Sequence, residues 1–371
     1  MRERGSTVSR NAEKVARSLF GDSAEREAFL AALASGDGAR TAVAAIRGSP
    51  YQGSGGSPRP PWLPEWIIVA DSGDRPGKSE RHDSGEVYCL DLSSTFACAA
   101  LSEVRGPVPL LLDLCAAPGG KSILASRYLS PDFVVANEAI RKRSSQLIAN
   151  FKRCGIDPSI VVSRDPAALA SSVPQAADVV IVDAPCSGQS LVLKDRAAPG
   201  AFHPATISMN ARRQRRILAC AARLVRPGGH LLYSTCTFSR EENEEVIEWL
   251  LKGHPHLSLL PVGLLTAFQS GHADGPMYRL FPQDGHGAGA FCALLKSREA
   301  PSSAEQAFLI ERVTETLKPI WRSPVVFRLC PVPVKEGRTD EAVRAGGRKW
   351  KRERRERAEW RLKRARADDN E

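Results

Sequence analysis

Between residues 110 and 233, five short strand-like runs (110–114, 133–136, 160–162, 178–182 and 230–233) alternate with stretches of helical character, which leaves few folds open to the chain. Short apolar runs bounded by polar turns read as buried strands. Strands that alternate with helices build a mostly parallel sheet with helices on both faces, an α/β fold. Helices are expected at 122–129, at 141–154 with Gly155 as terminator, at 204–225 and at 241–251. Two further strands are expected at 278–281 and 290–295. No internal repeat is visible.

The 371 residues are 42% hydrophobic, enough for one large α/β domain with smaller additions. Residues 10–47 read as helical, with apolar positions Val15, Leu19, Phe29, Leu30, Leu33, Val43 and Ile46 and a capping-box-like start at Asp22 and Glu25. Residues 48–64, rich in Gly, Ser and Pro, read as a linker, 66–69 as a short strand and 71–84 as a loop. The expected division is a helical N-terminal region (1–50), linker and loop (51–84), the α/β domain (85–298), an extension (299–340) and a basic tail (341–371).

No run of 18 apolar residues and no secretory signal are seen, so no membrane partner is expected. The nine cysteines are odd in number and none forms a C-x-x-C pair, which argues against a disulfide framework and a zinc ribbon. No metal site is expected, and a reducing, cytoplasmic setting fits best. The net charge of +10 is concentrated in 344–366, where twelve Lys or Arg face three Glu. Such a segment suits a phosphate backbone, and Trp350 and Trp360 within it suit stacking on bases; a solvated helix laced by Glu–Arg pairs is the plainer alternative. The arginines 212, 213, 215 and 216 pose the same pair of readings.

Leu112-Asp113-Leu114-Cys115-Ala116-Ala117-Pro118-Gly119-Gly120-Lys121-Ser122 follows the first strand of the series and opens a helix. Ligands bind at such strand ends in open α/β sheets. A P-loop requires Gly where Cys115 stands, and the dinucleotide pattern G-x-G-x-x-G is absent. S-adenosylmethionine, which has no phosphate to cradle, is the third reading. Its ribose wants a carboxylate at the end of the second strand, where Glu138 lies, and Asp165 after the third strand is placed to meet the adenine.

Asp183-Ala184-Pro185-Cys186-Ser187-Gly188 follows the fourth strand, and Ser234-Thr235-Cys236-Thr237-Phe238 the fifth. Both cysteines therefore emerge at the carboxyl edge of the sheet, beside the cofactor loop. Cys98, Cys154, Cys220, Cys292 and Cys330 read as inert buried thiols. Carbon 5 of cytosine attacks a methyl sulfonium only after a thiolate has added to carbon 6, which gives a cysteine here a task. The thiol needs an electropositive setting to ionise, and Lys121 supplies one. Asp183 is placed to bond the polar edge of the base.

Residues 85–297 resemble the Nop/Sun family of RNA cytosine-C5 methyltransferases. The likeness rests on Tyr88-Cys89-Leu90-Asp91-Leu92-Ser93-Ser94, on 112–122, on the two cysteine motifs, on Glu241-Glu242-Asn243-Glu244 and on Arg279-Leu280-Phe281-Pro282 through Phe291. It implies a Rossmann-like class I S-adenosylmethionine-dependent fold with a mostly parallel seven-stranded sheet. It implies Cys236 as nucleophile and Cys186 as the cysteine of product release, with Lys121 and Asp183 beside the base. Cys115, Ala116, Ala117, Pro118, Gly119, Gly120, Lys121, Glu138, Asp165 and Asp183 would line the cofactor pocket. Leu90 replaces the family's usual Gln.

The expected partner is RNA, ribosomal first and transfer RNA second, bound by a monomer. A DNA cytosine-C5 methyltransferase is the rival enzyme, but its nucleophile is a Pro-Cys cysteine, and the added Thr235-Cys236 favours RNA. A non-catalytic RNA-binding scaffold is the rival of another class; binding of S-adenosylmethionine separates the two.

Overall fold

The computed structural model describes residues 8–36, 40–51, 59–71, 73–194, 196–197, 199–298 and 309–329. The basic segment 344–366 and Cys330 lie outside the described residues, as does half of the expected extension.

The chain opens with α1 (Arg10–Phe20) and α2 (Ala24–Ser35). Ser9 caps α1 by accepting from the Ala12 N–H. Ala12, Val15, Ala16 and Leu19 fall on one stripe of α1, which packs with Phe29 of α2 against Phe202, Ile207 and Phe238 of the large domain. The expected helix over 10–47 ends early. Residues Thr41–Ala45 form β1, which pairs antiparallel with β2 (Ile67–Val69) on one side and β3 (Val87–Asp91) on the other. Its side chains alternate between two clusters: Ala42 and Ala44 enter the main core, while Val43 packs with Ala70 and Val87. Pairing on both edges overrides the helical preference of its alanines.

Two other expectations are corrected here. The expected loop 71–84 contains a 3-10 turn and the short helix α3 (Glu80–Asp83), capped by Ser79. The end of the expected linker is an anchor, because Trp62 is buried against Phe96 and Phe268. After β3, Asp91 caps α4 (Leu92–Ala99).

The large sheet then builds in order: β4 (Leu110–Asp113), α5 (Gly120–Leu129), β5 (Phe133–Asn137), α6 (Arg141–Cys154), β6 (Ser159–Val162), α7 (Pro166–Ser172), β7 (Ala177–Asp183), α8 (Pro204–Leu224), β8 (Val225–Thr235) and α9 (Glu244–Gly253). It closes with β9 (Leu257–Leu259), β10 (Met277–Leu280), β11 (Ala290–Ser297), α10 (Leu309–Leu317), β12 (Trp321–Arg322) and α11 (Pro324–Leu329). Strands β8, β7, β4, β5 and β6 are parallel neighbours, while β11 and β10 continue antiparallel beyond β8. Among the described residues the sheet has nine strands rather than the expected seven. The additions are β9, on the edge of β11, and β12, on the edge of β6. Three and two residues long, they carry no periodicity from which a strand is read.

Side chains alternate between two cores. Leu111, Val134, Val161 and Ile181 meet α4, α5 and α6, whereas Leu112, Val135, Ile160 and Val182 meet α7, α8, α9 and α10. Gly229 lets β8 pass close to β7, where a Cβ would lie 2.9 Å from the Asp178 carbonyl oxygen. Among the described residues no helix is long and apolar enough to cross a membrane.

Candidate active site

Parallel pairing brings the loops after β4, β5, β6, β7 and β8 to one edge of the sheet, where ligands of open α/β folds bind. Asp113 ends β4 fully buried. Its carboxylate accepts from Ser122 Oγ at 2.5 Å and from the Cys115 N–H at 3.2 Å, which closes the loop onto the helix it opens. Burial pushes this carboxyl up to about 7, against the downward pull of the Ser122 bond. Asn137, at the end of β5, clamps two loops together. Its Nδ2 donates to the carbonyls of Leu114 and Arg164 at 3.0 and 3.1 Å, and its Oδ1 accepts from the Arg164 N–H at 3.0 Å. The sequence reading missed Asn137; an amide closing a buried strand had to be bonded, and that was the available signal.

Beyond this clamp lies a cleft bounded by Leu114, Cys115, Glu138, Asp165, Pro185 and Arg213. Three expected cofactor residues, Cys115, Glu138 and Asp165, thus share one cleft. Glu138 Oε1 accepts from the Ile140 N–H at 2.9 Å. Its Oε2 is buried without a hydrogen bond, with the half-exposed Arg143 guanidinium at 3.2 Å. A buried carboxylate oxygen at the end of the second strand, held by an ion pair but by no hydrogen bond, fits a ribose hydroxyl. Asp165 is engaged at both oxygens: it caps α7 by accepting from the Ala167 N–H at 2.9 Å and pairs with Arg216 at 2.7 Å. Residues 117–120 do not bound this cleft and turn toward α6. Ala117 O accepts from Arg143 at 2.8 Å and Pro118 O from Asn150 at 2.8 Å, while Gly119, at φ 112°, sits where a Cβ would press on Leu147. Ala116 N donates to Asn137 O at 2.8 Å.

The cysteine motifs meet next to this loop. Cys186 Sγ and Cys236 Sγ lie 3.4 Å apart, and both residues are half-buried. Lys121 Nζ pairs with Asp183 Oδ2 at 2.7 Å, and Ser234 Oγ donates to Asp183 Oδ1 at 3.0 Å. The hydrogen bond from Cys186 pulls the Cys236 thiol below its ordinary range. Burial and Asp183 oppose this, while Lys121 and Lys194 assist it. The same bond, followed by burial, pushes Cys186 well up. Burial works against the charge of Lys121, but Asp183 outweighs it and holds the ammonium above its usual range. The shared bond therefore favours ionisation at Cys236 over Cys186.

A buried carboxylate knits the two cysteine loops. Glu242 accepts from the Ser187 N–H at 2.9 Å, Ser187 Oγ at 2.5 Å, Gln214 Nε2 at 3.0 Å and Ser239 Oγ at 3.0 Å. Gln189 Oε1 accepts from the N–H groups of Phe238 and Ser239, at 2.8 and 3.1 Å. Asn243 Nδ2 donates to Thr237 O at 3.0 Å, and Thr235 Oγ1 donates to Asn243 Oδ1 at 2.6 Å. Arg279 joins the buried Glu244 carboxylate to the Phe238 carbonyl. Glu242, Asn243, Glu244 and Arg279 belong to motifs the sequence singled out without a task. Gln189 and Gln214 carried no signal at all.

Of the cysteines read as inert, Cys98, Cys154, Cys220 and Cys292 are buried. Of the four arginines on α8, Arg213 and Arg216 border the cofactor cleft, while Arg212 and Arg215 border a groove against α1 with Lys14, Glu241 and Glu245.

The family described as 16S rRNA methyltransferase RsmB/F matches residues 105–296, more than half of the chain. The chain belongs to the RsmB/F family. Ribosomal RNA small subunit methyltransferase F of Klebsiella pneumoniae is 35% identical over 249 residues, which cover 65% of this chain and 52% of that protein. The Escherichia coli protein of the same name is 35% identical over 246 residues, 65% of this chain and 51% of its own length. The chain thus spans about half the length of the curated relatives it matches. Among solved structures, NSun6 from Pyrococcus horikoshii with SFG aligns at a TM-score of 0.60 and 17% identity, covering 78% of this chain and 98% of that one; it shares the fold. PH0851 aligns at a TM-score of 0.65 and 25% identity, covering 77% and 65%. RsmB/F proteins use S-adenosylmethionine, so the Glu138 oxygen that lacks a hydrogen bond falls in a family with a ribose to offer it.

Proposed function

We propose that this chain methylates carbon 5 of a cytosine in RNA, ribosomal RNA first, through a transient bond between Cys236 Sγ and carbon 6 of the base. The sulfur pair 3.4 Å apart at the ends of β7 and β8 carries this reading.

When bound, S-adenosylmethionine supplies an electrophilic methyl group. Glu138 holds its ribose, Cys115 and Pro185 border the cleft, and Asp165 closes the cleft's rim with Arg216. Cys236 attacks carbon 6 as the thiolate, and the electron pair of the carbon 5–carbon 6 double bond moves toward the ring's polar edge. Asp183, steadied by Lys121 and Ser234, is assigned to that edge, where it favours a proton on N3. Carbon 5 then takes the methyl group. Loss of the carbon 5 proton re-forms the double bond and expels Cys236. Cys186, next to the departing sulfur, serves this release. The base must leave any stack to reach the thiolate, so a loop or opened segment is the expected substrate.

Ribosomal RNA is placed before transfer RNA because the relatives of this half-length match carry that substrate in their names. A monomer working in the cytoplasm, with a basic tail on the RNA, completes the proposal. The deciding experiment is capture of 5-azacytidine RNA. Cys236→Ala should abolish the covalent complex, and Cys186→Ala should let one accumulate with ordinary RNA. An adduct that persists in Cys236→Ala reverses the two roles.

A further inference from the structure

The Asp91-x-Ser-Ser motif has no task in the chemistry above, yet it reaches the nucleophile. Asp91 ends β3 and caps α4 by accepting from the Ser93 N–H at 3.0 Å. Its other oxygen pairs with Lys194 Nζ at 2.9 Å. The two side chains are only 12% and 20% exposed, so this is not a loose surface pair. Lys194 ends the 3-10 turn Gln189–Lys194, in which the Ser190 N–H donates to the carbonyl of Cys236 itself at 3.2 Å. Leu90, the departure from the family pattern, packs half-buried against the main core and leaves the Asp91 contacts untouched.

The charged and titratable groups that bear on Cys236 are Cys186, Asp183, Lys121 and Lys194. Lys121 is committed to Asp183, whose negative charge works against a thiolate. Lys194, carried by the turn that bonds the Cys236 carbonyl, is a second cation favouring the thiolate, itself paired with Asp91. Resting on the reading of Cys236 as the attacking sulfur, we propose that Lys194, oriented by Asp91, is a positioning residue that supplies the second positive charge beside Cys236 and keeps it as the thiolate until the base arrives. The small N-terminal sheet, outside the matched family region, then helps to arm the site through Asp91.

The test is the pH dependence of iodoacetamide alkylation at Cys236, read by peptide mass spectrometry on the full chain, alongside capture of 5-azacytidine RNA. Lys194→Met should raise the alkylation midpoint by about one pH unit, the scale of one opposite charge lost near a partly buried group. At pH well below the midpoint the thiolate fraction then falls about tenfold, and alkylation there slows by only about threefold because a more basic thiolate is the better nucleophile. Lys194→Arg should restore the midpoint. Lys194→Met leaves Asp91 buried and unpaired, so the double variant Asp91→Asn/Lys194→Met is the folding control. Asn still caps α4, and the raised midpoint should remain. An unmoved midpoint in both Met variants, with RNA capture by the wild-type chain intact, overturns the role of Lys194. No capture by the wild-type chain overturns the underlying reading, and this role with it.

Discussion

Cys186 and Cys236 share one hydrogen bond between sulfurs 3.4 Å apart, which holds the Cys186 thiol well above its ordinary range and draws Cys236 below its own. The bond separates two chemically identical groups into a nucleophile and a proton carrier. As pH rises from 6, Cys236 should be alkylated first and Cys186 only at a much higher pH. Cys186→Ala removes the largest influence lowering Cys236, so its midpoint should rise and its alkylation at pH 7 should slow. Peptide mass spectrometry after timed iodoacetamide exposure reads both sites. Equal rates at the two cysteines would contradict the division.

Glu138 offers a buried oxygen without a hydrogen bond to whatever enters the cleft. Glu138→Gln keeps an acceptor for the Ile140 N–H but gives up the charge. A charge-assisted hydrogen bond to a ribose hydroxyl contributes roughly 1.5–3 kcal/mol, so the dissociation constant for S-adenosylmethionine should rise by about tenfold to a hundredfold. Calorimetric titration measures this directly. An unchanged constant would place the ribose elsewhere.

The parallel strands and the positions of Cys115, Glu138, Asp183, Cys186 and Cys236 after them were readable because each follows an apolar run long enough to be a buried strand. Parallel pairing then fixes their common edge without further information. β1 was not readable, since Thr41-Ala42-Val43-Ala44-Ala45 takes its conformation from β2 and β3, which lie up to 50 residues away in sequence. Gln189 and Gln214 were hidden for a similar reason. An amide shows nothing locally of the buried acceptors it will meet. Glu242 was visible as part of a motif, but its five polar neighbours come from α8, the Cys186 loop and the Cys236 loop.

Glu242 should be the residue whose loss most loosens the site without touching substrate. Glu242→Ala strands the Ser187 N–H in the interior and takes an acceptor from the Ser239 hydroxyl, the Ser187 hydroxyl and the Gln214 amide, the last two keeping only Thr237 and Pro185. Unsatisfied buried donors cost about 1–3 kcal/mol each, so urea denaturation should show a loss of at least about 3 kcal/mol. Glu242→Gln keeps the volume and one acceptor, and hydroxyls rotate to suit its amide, so about 1 kcal/mol is expected there. A smaller cost for Ala than for Gln would mean that the carboxylate is not the hub.

His230, in β8, gives the fold a dependence on acid that is separable from the site. Burial holds its imidazole down at about 4, with Lys296 and Arg226 adding to the effect, and its Nε2 is buried without a partner. The unfolded chain titrates near 6.5, so between 6.5 and about 4 the unfolded state binds more protons and stability falls as the solution is acidified. Integrated from pH 7 to pH 5, this amounts to about 2 kcal/mol. Asp113, raised to about 7, acts with the opposite sign: its folded form takes up protons first and gains stability over much of the same range. A single wild-type curve therefore mixes the two. His230→Leu isolates one of them, because the difference between wild-type and variant stability at pH 7 and at pH 5 cancels Asp113 and every other group that the substitution leaves alone. That difference should shift by about 2 kcal/mol in favour of the variant at the lower pH. Parallel wild-type and variant curves in urea titrations would show that His230 is already charged, or already solvated, in the folded protein.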